Sequence, residues 1–210
     1  MDLSPLFDLR LRTPRLELRL PTRPELEELR EVARAGVHPP EEMPFAIAWT
    51  DEPYSEEWVV AFHEQQRAVW RPDAWDLELG VWAHGELAGI QALVAKDFAT
   101  TRTVETGSWL GSRFQRRGIG TEMRAAVLEL AFRGLSAQVA RSGAVEGNPA
   151  SLGVSEKLGY RVVGSGTVSP RGVPVEHTDV ELRREDWQPP FAVEIEGLGT
   201  CLALFGVLPV

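Results

Sequence analysis

Cysteine is almost absent: Cys201 is the only one among 210 residues. An intrachain disulfide and a thiolate metal cluster are therefore excluded. Cys201 stands in the apolar run Cys201-Leu202-Ala203-Leu204-Phe205 and reads as a small buried hydrophobe rather than a nucleophile. Positive charge is also in short supply: 22 Lys and Arg against 31 Asp and Glu leave a formal charge of −9. Such a balance argues against non-specific binding to nucleic acid or to an anionic membrane. No apolar run is long enough for a bilayer span, and the first residues, with Asp2 and Asp8, lack the apolar stretch of a secretory signal. The histidines at 38, 63, 84 and 177 show no ligand spacing, so no metal is expected. Together these shortages favour a cytoplasmic protein. The 43% hydrophobic and 25% charged residues suit an ordinary globular domain, and the length suits one domain or one with an extension.

Against the acidic total, Arg113, Arg116 and Arg117 cluster in the stretch Trp109-Leu110-Gly111-Ser112-Arg113-Phe114-Gln115-Arg116-Arg117-Gly118-Ile119-Gly120. It reads as a strand end, a basic loop and a glycine-lined helix start. The first turn of a helix presents unpaired N–H groups and a partial positive charge, so it holds anions. Gly118 and Gly120 let a phosphate approach the main chain closely. A pyrophosphate site is the expectation. It is not a Walker loop, because Gly120 is followed by Thr121-Glu122 instead of Lys-Ser/Thr. It is not a dinucleotide fingerprint either, since the third glycine of that motif is missing.

Leu16 to Leu20 alternates as a half-buried strand. Thr22 and Glu25 then form a capping box with Pro24 in the first turn, predicting a helix to about Ala35 that Gly36 stops. A proline-rich loop spans His38 to Pro53, and a second helix, capped near Ser55, runs to about Trp70. Trp75, Leu77, Leu79, Val81 and Ala83 share one face of a strand; Leu87 to Lys96 returns as its hairpin partner after Gly85. Thr103 to Leu110 is a third central strand. Ile119, Met123, Ala126, Val127 and Leu130 make an apolar stripe on the helix after Gly120, which ends at Arg133 and Gly134. A strand over Ala137 to Val145 follows, then a helix capped by Asn148 with Pro149 at its first position and Gly159 at its end. Tyr160 to Ser165 and Glu176 to Arg183 form a closing hairpin. The reading is an α/β (α+β) fold: a mixed, mostly antiparallel sheet of about seven strands and about four helices, with one parallel strand–helix–strand crossover. After Trp187, an apolar tail over residues 188–210 packs on its own domain or covers a partner subunit, and a homodimer is expected from it.

Gln115-Arg116-Arg117-Gly118-Ile119-Gly120 matches the Q/R-x-x-G-x-G/A signature of the GNAT superfamily of N-acetyltransferases. Glu105-Thr106-Gly107-Ser108-Trp109-Leu110 resembles the E-I-G-Y-W-L strand of its RimJ/RimL-like, ribosomal-protein-alanine branch. Asn148-Pro149-Ala150-Ser151 followed by Glu156-Lys157-Leu158-Gly159-Tyr160 resembles that branch's N-x-x-S helix and E-K-L-G-F/Y ending. The resemblance covers roughly Leu11 to Trp187, taken as an acyltransferase domain over residues 1–187. It implies that the strands before and after the signature helix splay apart and that the pantetheine of acetyl-CoA fills the gap. Trp109, Leu110 and Gly111 would pair with pantetheine through their backbone. The amides from Gln115, Arg116, Arg117, Gly118, Ile119 and Gly120 to Thr121 would hold the pyrophosphate, with Asn148 and Ser151 contacting the cofactor. Succinyl-CoA or another acyl-CoA is the variant.

The implied reaction is direct attack by a primary amine, from a protein N-terminus or a small molecule, with the carbonyl polarised by a backbone N–H. The amine must be neutral to attack; a lysine pKa lies near ~10.4 and an α-amino group near ~7.7–8.0. Glu105 is the candidate base, sharing a strand face with Gly107 and Trp109; a solvated strand residue is the other reading. Superfamily members often place an acidic tyrosine just before E-K-L-G. Here Ser155 stands there, and Ser151 takes the acid role by resemblance, with first-turn capping as its alternative. Phe45 and Trp49 are expected to line the acceptor pocket, or else to anchor their loop, with Asp51 or Glu52 attracting a cationic amine. A protein that binds CoA without catalysis is the reading from another class.

Overall fold

Leu16 and Leu18 are buried while Glu17 and Arg19 are half-buried, and this alternation sets which face of the strand meets the core of a single large sheet. The architecture comes from a computed structural model that describes residues 1–51 and 58–207. The strands are β1 (Arg10–Arg12), β2 (Leu16–Arg19), β3 (Ala74–Ala83), β4 (Glu86–Lys96), β5 (Thr103–Leu110), β6 (Val139–Val145), β7 (Arg161–Val168), β8 (Val175–Arg183) and β9 (Glu194–Glu196). The helices are α1 (Arg23–Arg34), α2 (Trp58–Ala68), α3 (Phe98–Thr101), α4 (Ile119–Glu129), α5 (Pro149–Lys157) and α6 (Leu198–Cys201). Strand order is β7-β8-β6-β5-β4-β3-β2-β1-β9. Every pairing is antiparallel except β5 with β6.

The mostly antiparallel mixed sheet of the sequence reading is present, widened by the three-residue strands β1 and β9. These are too short to carry a periodic signal of their own. The Thr22/Glu25 capping box forms: the Thr22 amide and hydroxyl both donate to Glu25 Oε2, each at 2.8 Å. The Ser55 cap lies outside the described residues. The apolar stripe on α4 understates its burial, because every residue from Glu122 to Phe132 is buried. This helix fills the middle of the sheet's main core, between β1, β2, β4 and β5 on one side and α5 on the other. On the opposite face a smaller core joins Leu26 and Leu29 of α1, Val59 and Val60 of α2, and Leu87 and Ile90.

The apolar tail is consumed within its own chain. β9 pairs with β1, and Cys201, Leu204 and Phe205 are buried in the main core. The Phe205 ring meets Trp75 edge-on at 4.9 Å, and Trp70 Nε1 donates to the Leu204 carbonyl at 2.8 Å. The surface that suggested a tail-mediated dimer is therefore spent inside the protomer.

β5 and β6 pair at only three positions, from Thr103↔Val139 to Glu105↔Arg141. β5 continues to Leu110 and β6 to Val145 without further pairing between them. The sheet thus opens into a wedge whose apex is at Glu105 and whose mouth faces the loop before α4.

Candidate functional site

The loop at the mouth of the wedge is set by two left-handed residues. Arg116 has φ +59° and Gly118, the N-cap of α4, has φ +80°. A non-glycine residue held there is strained, and such turns curl successive N–H groups around an anion. Gln115 ties the loop down: its Nε2 donates to the carbonyls of Val37 (2.6 Å) and Leu110 (2.8 Å). Ile119, Gly120 and Thr121 supply first-turn amides, and Ile119 also anchors the turn in the core.

Arg116 and Arg117 are exposed and, among the described residues, form no ion pair, whereas Arg113 is engaged by Glu86 at 2.8 Å. The acidic residue in the first turn, Glu122, is buried and answered by Thr13 Oγ1 (2.6 Å), the Arg15 amide (3.0 Å) and Arg15 Nε (2.6 Å). Arg15 also donates to the Arg117 carbonyl at 3.0 Å. This brace, unseen in the sequence because its partners lie more than one hundred residues apart, keeps Glu122 from cancelling the positive field of the mouth.

Inside the wedge, Ser142 Oγ donates to the Thr106 carbonyl at 3.0 Å, which fixes the direction of the β5 peptide edges. By strand alternation Thr106, Ser108 and Leu110 face the gap, and Gly107, Trp109 and Gly111 face β4. Gly107 accepts from Gln91 Nε2 (2.9 Å), and the Gly111 N–H donates to Ala88 (2.9 Å) while its carbonyl accepts from Phe114. The pantetheine-pairing role expected of Trp109 and Gly111 is thus corrected: their peptide groups are spent toward β4 or in the turn. Leu110 keeps only its N–H, and Ser108, absent from the expected set, has its whole peptide edge facing the gap.

Asn148 caps α5 by accepting from the Ser151 N–H at 3.0 Å, and its Nδ2 donates to the Pro44 carbonyl at 3.0 Å. The side chain thus caps α5 and ties down the Pro44 loop with one N–H, which leaves its second N–H for the expected cofactor contact. The Ser151 side chain is half-buried, and its carbonyl accepts from Ser155 Oγ at 3.1 Å.

The other face of β5 presents exposed Glu105, Gly107 and half-buried Trp109. A Cβ on Gly107 would meet only the Ala92 Cβ, at 4.0 Å, so the space above it is open. Aromatic rings wall this space. Trp49 lies 5.3 Å from Trp109, 5.1 Å from Phe45 and 5.9 Å from Trp58 between ring centroids, and Phe62 stacks on Trp58. Phe45 and Trp49 therefore reach the same face as Glu105, joined by Trp58 and Phe62. Asp51 does not face an amine: both its oxygens hold Arg171 of the β7–β8 turn, at 2.5 and 2.6 Å, which corrects that expectation. Glu52 lies outside the described residues.

Two further acids lie in register on this face. Asp76 pairs with Val94 and Val94 with Glu105; Glu78 pairs with Ala92 and Ala92 with Gly107. Burial raises the Asp76 carboxyl from 3.8 to about 6, and burial together with Asp76 raises Glu78 well above its ordinary value. The folded protein then binds more protons than the unfolded chain between roughly pH 4 and 6, so stability falls as pH rises through that window. Asp76→Asn is expected to flatten this decline in melting temperature measured from pH 4 to pH 7; an unchanged slope would refute the assignment.

Residues 15–161 match the family model described as the acetyltransferase (GNAT) domain. The chain belongs to the GNAT acetyltransferase family. Solved structures share the GNAT fold. RimJ of Mycobacterium smegmatis, in complex with CoA-disulfide, superposes with a TM-score of 0.71 at 18% identity, covering 95% of each chain. RimL, a ribosomal L7/L12 α-N-protein acetyltransferase in complex with coenzyme A, gives 0.63 at 14% identity over 81% of this chain and 95% of its own. The microcin C7 self-immunity acetyltransferase, in complex with acetyl-CoA and AMP, gives 0.66 at 18% identity over 81% and 93%. Among the described residues of this GNAT chain no helix is long and apolar enough to cross a membrane.

Proposed function

We propose that this protein transfers an acyl group, acetyl first of all, from acyl-CoA to a primary amine by direct attack within a ternary complex. One observation carries the reading: β5 and β6 part beyond Glu105↔Arg141, and the gap opens onto a helix mouth with Arg116 and Arg117, which form no ion pair among the described residues. A diphosphate at the amides of Gly118 to Thr121 leaves the pantetheine arm to run along the Ser108 and Leu110 edge. The thioester then sits near the apex, beside Glu105. The exposed Glu105, on the face walled by Phe45, Trp49 and Trp109, favours a cationic amine entering from the α1–α2 side. A protein N-terminus is the acceptor class consistent with the RimL likeness, and its α-amine, with a pKa near ~7.7–8.0, needs modest help to lose a proton.

Glu105 serves as base, directly or through water, and Ser151 hydrogen-bonds the sulfur. Glu105→Gln is expected to lower kcat on the order of 10²-fold with KM for acetyl-CoA unchanged. The check is free-thiol release with a panel of acetyl- and succinyl-CoA donors against peptide N-termini and small amines. Heat of CoA binding without thiol release from any pair would leave only a silent binding protein.

A further inference from the structure

Arg124, on the second turn of α4, is a buried cation without an anion. The residue is 4% exposed. Its Nη1 donates to Ser155 Oγ at 2.9 Å, and among the described residues its Nε has no partner. No carboxylate among the described residues pairs with it. Arg19, by contrast, also largely buried, is answered by both Glu17 and Glu25. Burying a charge is tolerated when a partner neutralises it, so an unanswered one points to a partner that arrives with the ligand. Burial pushes the Arg124 guanidinium below its ordinary value, yet it stays charged near neutral pH.

The position of this cation is specific. Its neighbour Tyr160 is a buried neutral phenol whose hydroxyl lies 3.5 Å from Thr106 Oγ1. Thr106 and Ser142 are the first residues of β5 and β6 beyond their last pair. Arg124 therefore stands behind the apex of the wedge, on the α4–α5 side. The exposed Arg116 and Arg117 remain at the mouth for the diphosphate. What reaches the apex is the thioester end of the acyl-CoA. Arg124 holds Ser155 of α5 and neighbours Tyr160, which in turn reaches Thr106 of β5; among the described residues none of its partners is a carboxylate. Glu105 lies on the other face of β5.

We propose that Arg124 takes up the negative charge of the departing CoA sulfur, in place of an acid that would protonate it. The inference rests on the acyl-transfer reading above. Ser155 gives its own proton to the Ser151 carbonyl and accepts from Arg124, so it is a poor acid for the sulfur. In the step, the amine nitrogen bonds to the thioester carbon and the C–S bond breaks with its electron pair on sulfur. The proton lost by the amine passes through Glu105 to water. Arg124 keeps its own protons throughout. The sulfur leaves as thiolate and takes a proton from water on release.

The test titrates the thiol of bound CoA by thiolate ultraviolet absorbance in the intact protein, with Arg124→Met and Arg124→Lys beside it. Bound to the wild type, the thiol is expected to ionise at least about one pH unit below free CoA, a tenfold stabilisation of thiolate. Arg124→Met should abolish the shift and Arg124→Lys retain most of it. CoA affinity at pH 6, where the thiol is neutral, should change less than about threefold, and kcat should fall about tenfold or more with KM for acetyl-CoA held. Should Arg124→Met fail to fold, the wild type alone answers: the preference for CoA over desulfo-CoA should grow from pH 7 to pH 9. A wild type that binds CoA with an unshifted thiol and no growing preference overturns the role of Arg124 alone. A shift that survives in Arg124→Met does the same. A wild type that binds no CoA at pH 6 overturns the transferase reading beneath it.

Discussion

Reversing Arg116 and Arg117 together to glutamate is expected to weaken CoA by about 100-fold or more while leaving the melting temperature nearly unchanged. A hydrogen bond to a charged group contributes about 1.5–3 kcal/mol, and two reversals remove two such contacts and add repulsion. Each ~1.4 kcal/mol is a factor of ten in affinity. Stability should not follow, because both side chains are exposed and form no ion pair among the described residues. Isothermal titration with CoA beside thermal denaturation separates the effects. Equal loss of affinity and stability would mean that the loop is merely structural.

Ending the chain at Trp187 is expected to lower the melting temperature by more than about 10 °C. The cut removes the fully buried Phe205 and Cys201 and the nearly buried Leu204, and it uncovers Trp70, Trp75, Leu6 and Leu9. Burying one large apolar side chain contributes about 1.5–3 kcal/mol, so two such losses with the newly exposed partners reach ~5 kcal/mol. For a chain of this size ~1 kcal/mol corresponds to about 2–4 °C. The loss also approaches the whole net stability of many domains, about 5–15 kcal/mol. A tail that served a dimer interface would behave otherwise. The shortened chain would stay folded, keep its melting temperature and elute as a smaller species in gel filtration. That result would reverse the intramolecular assignment.

Much of the scaffold was legible because its signals are local. The capping box joins Thr22 to Glu25, three residues apart. The alternation of Trp75, Leu77 and Leu79 needs only a strand's two-residue period. Gly118 and Gly120 marked the helix start, and Arg113, Arg116 and Arg117 needed no fold to be seen as a basic loop. Partners chosen across the chain were not legible. Asp51 looked like a free acid in an acceptor loop until Arg171 closed on it from 120 residues away. Asn148 was readable as a helix cap, but not its bond to the Pro44 carbonyl, 104 residues upstream. The edges of β5 were misassigned because sequence alternation tells which side chains share a face and leaves open which peptide edge turns to which neighbour.

The sequence alone determined the mixed sheet, the glycine-lined, arginine-flanked helix start and the family signature, since each follows from neighbours within a few residues. The tertiary structure alone decided that the tail closes its own core, that Ser108 rather than Trp109 or Gly111 edges the gap, and that Arg124 lies buried with no carboxylate partner among the described residues. Those outcomes depend on which distant groups meet when the sheet closes, and burial, which makes an unpaired charge costly, exists only after it has closed.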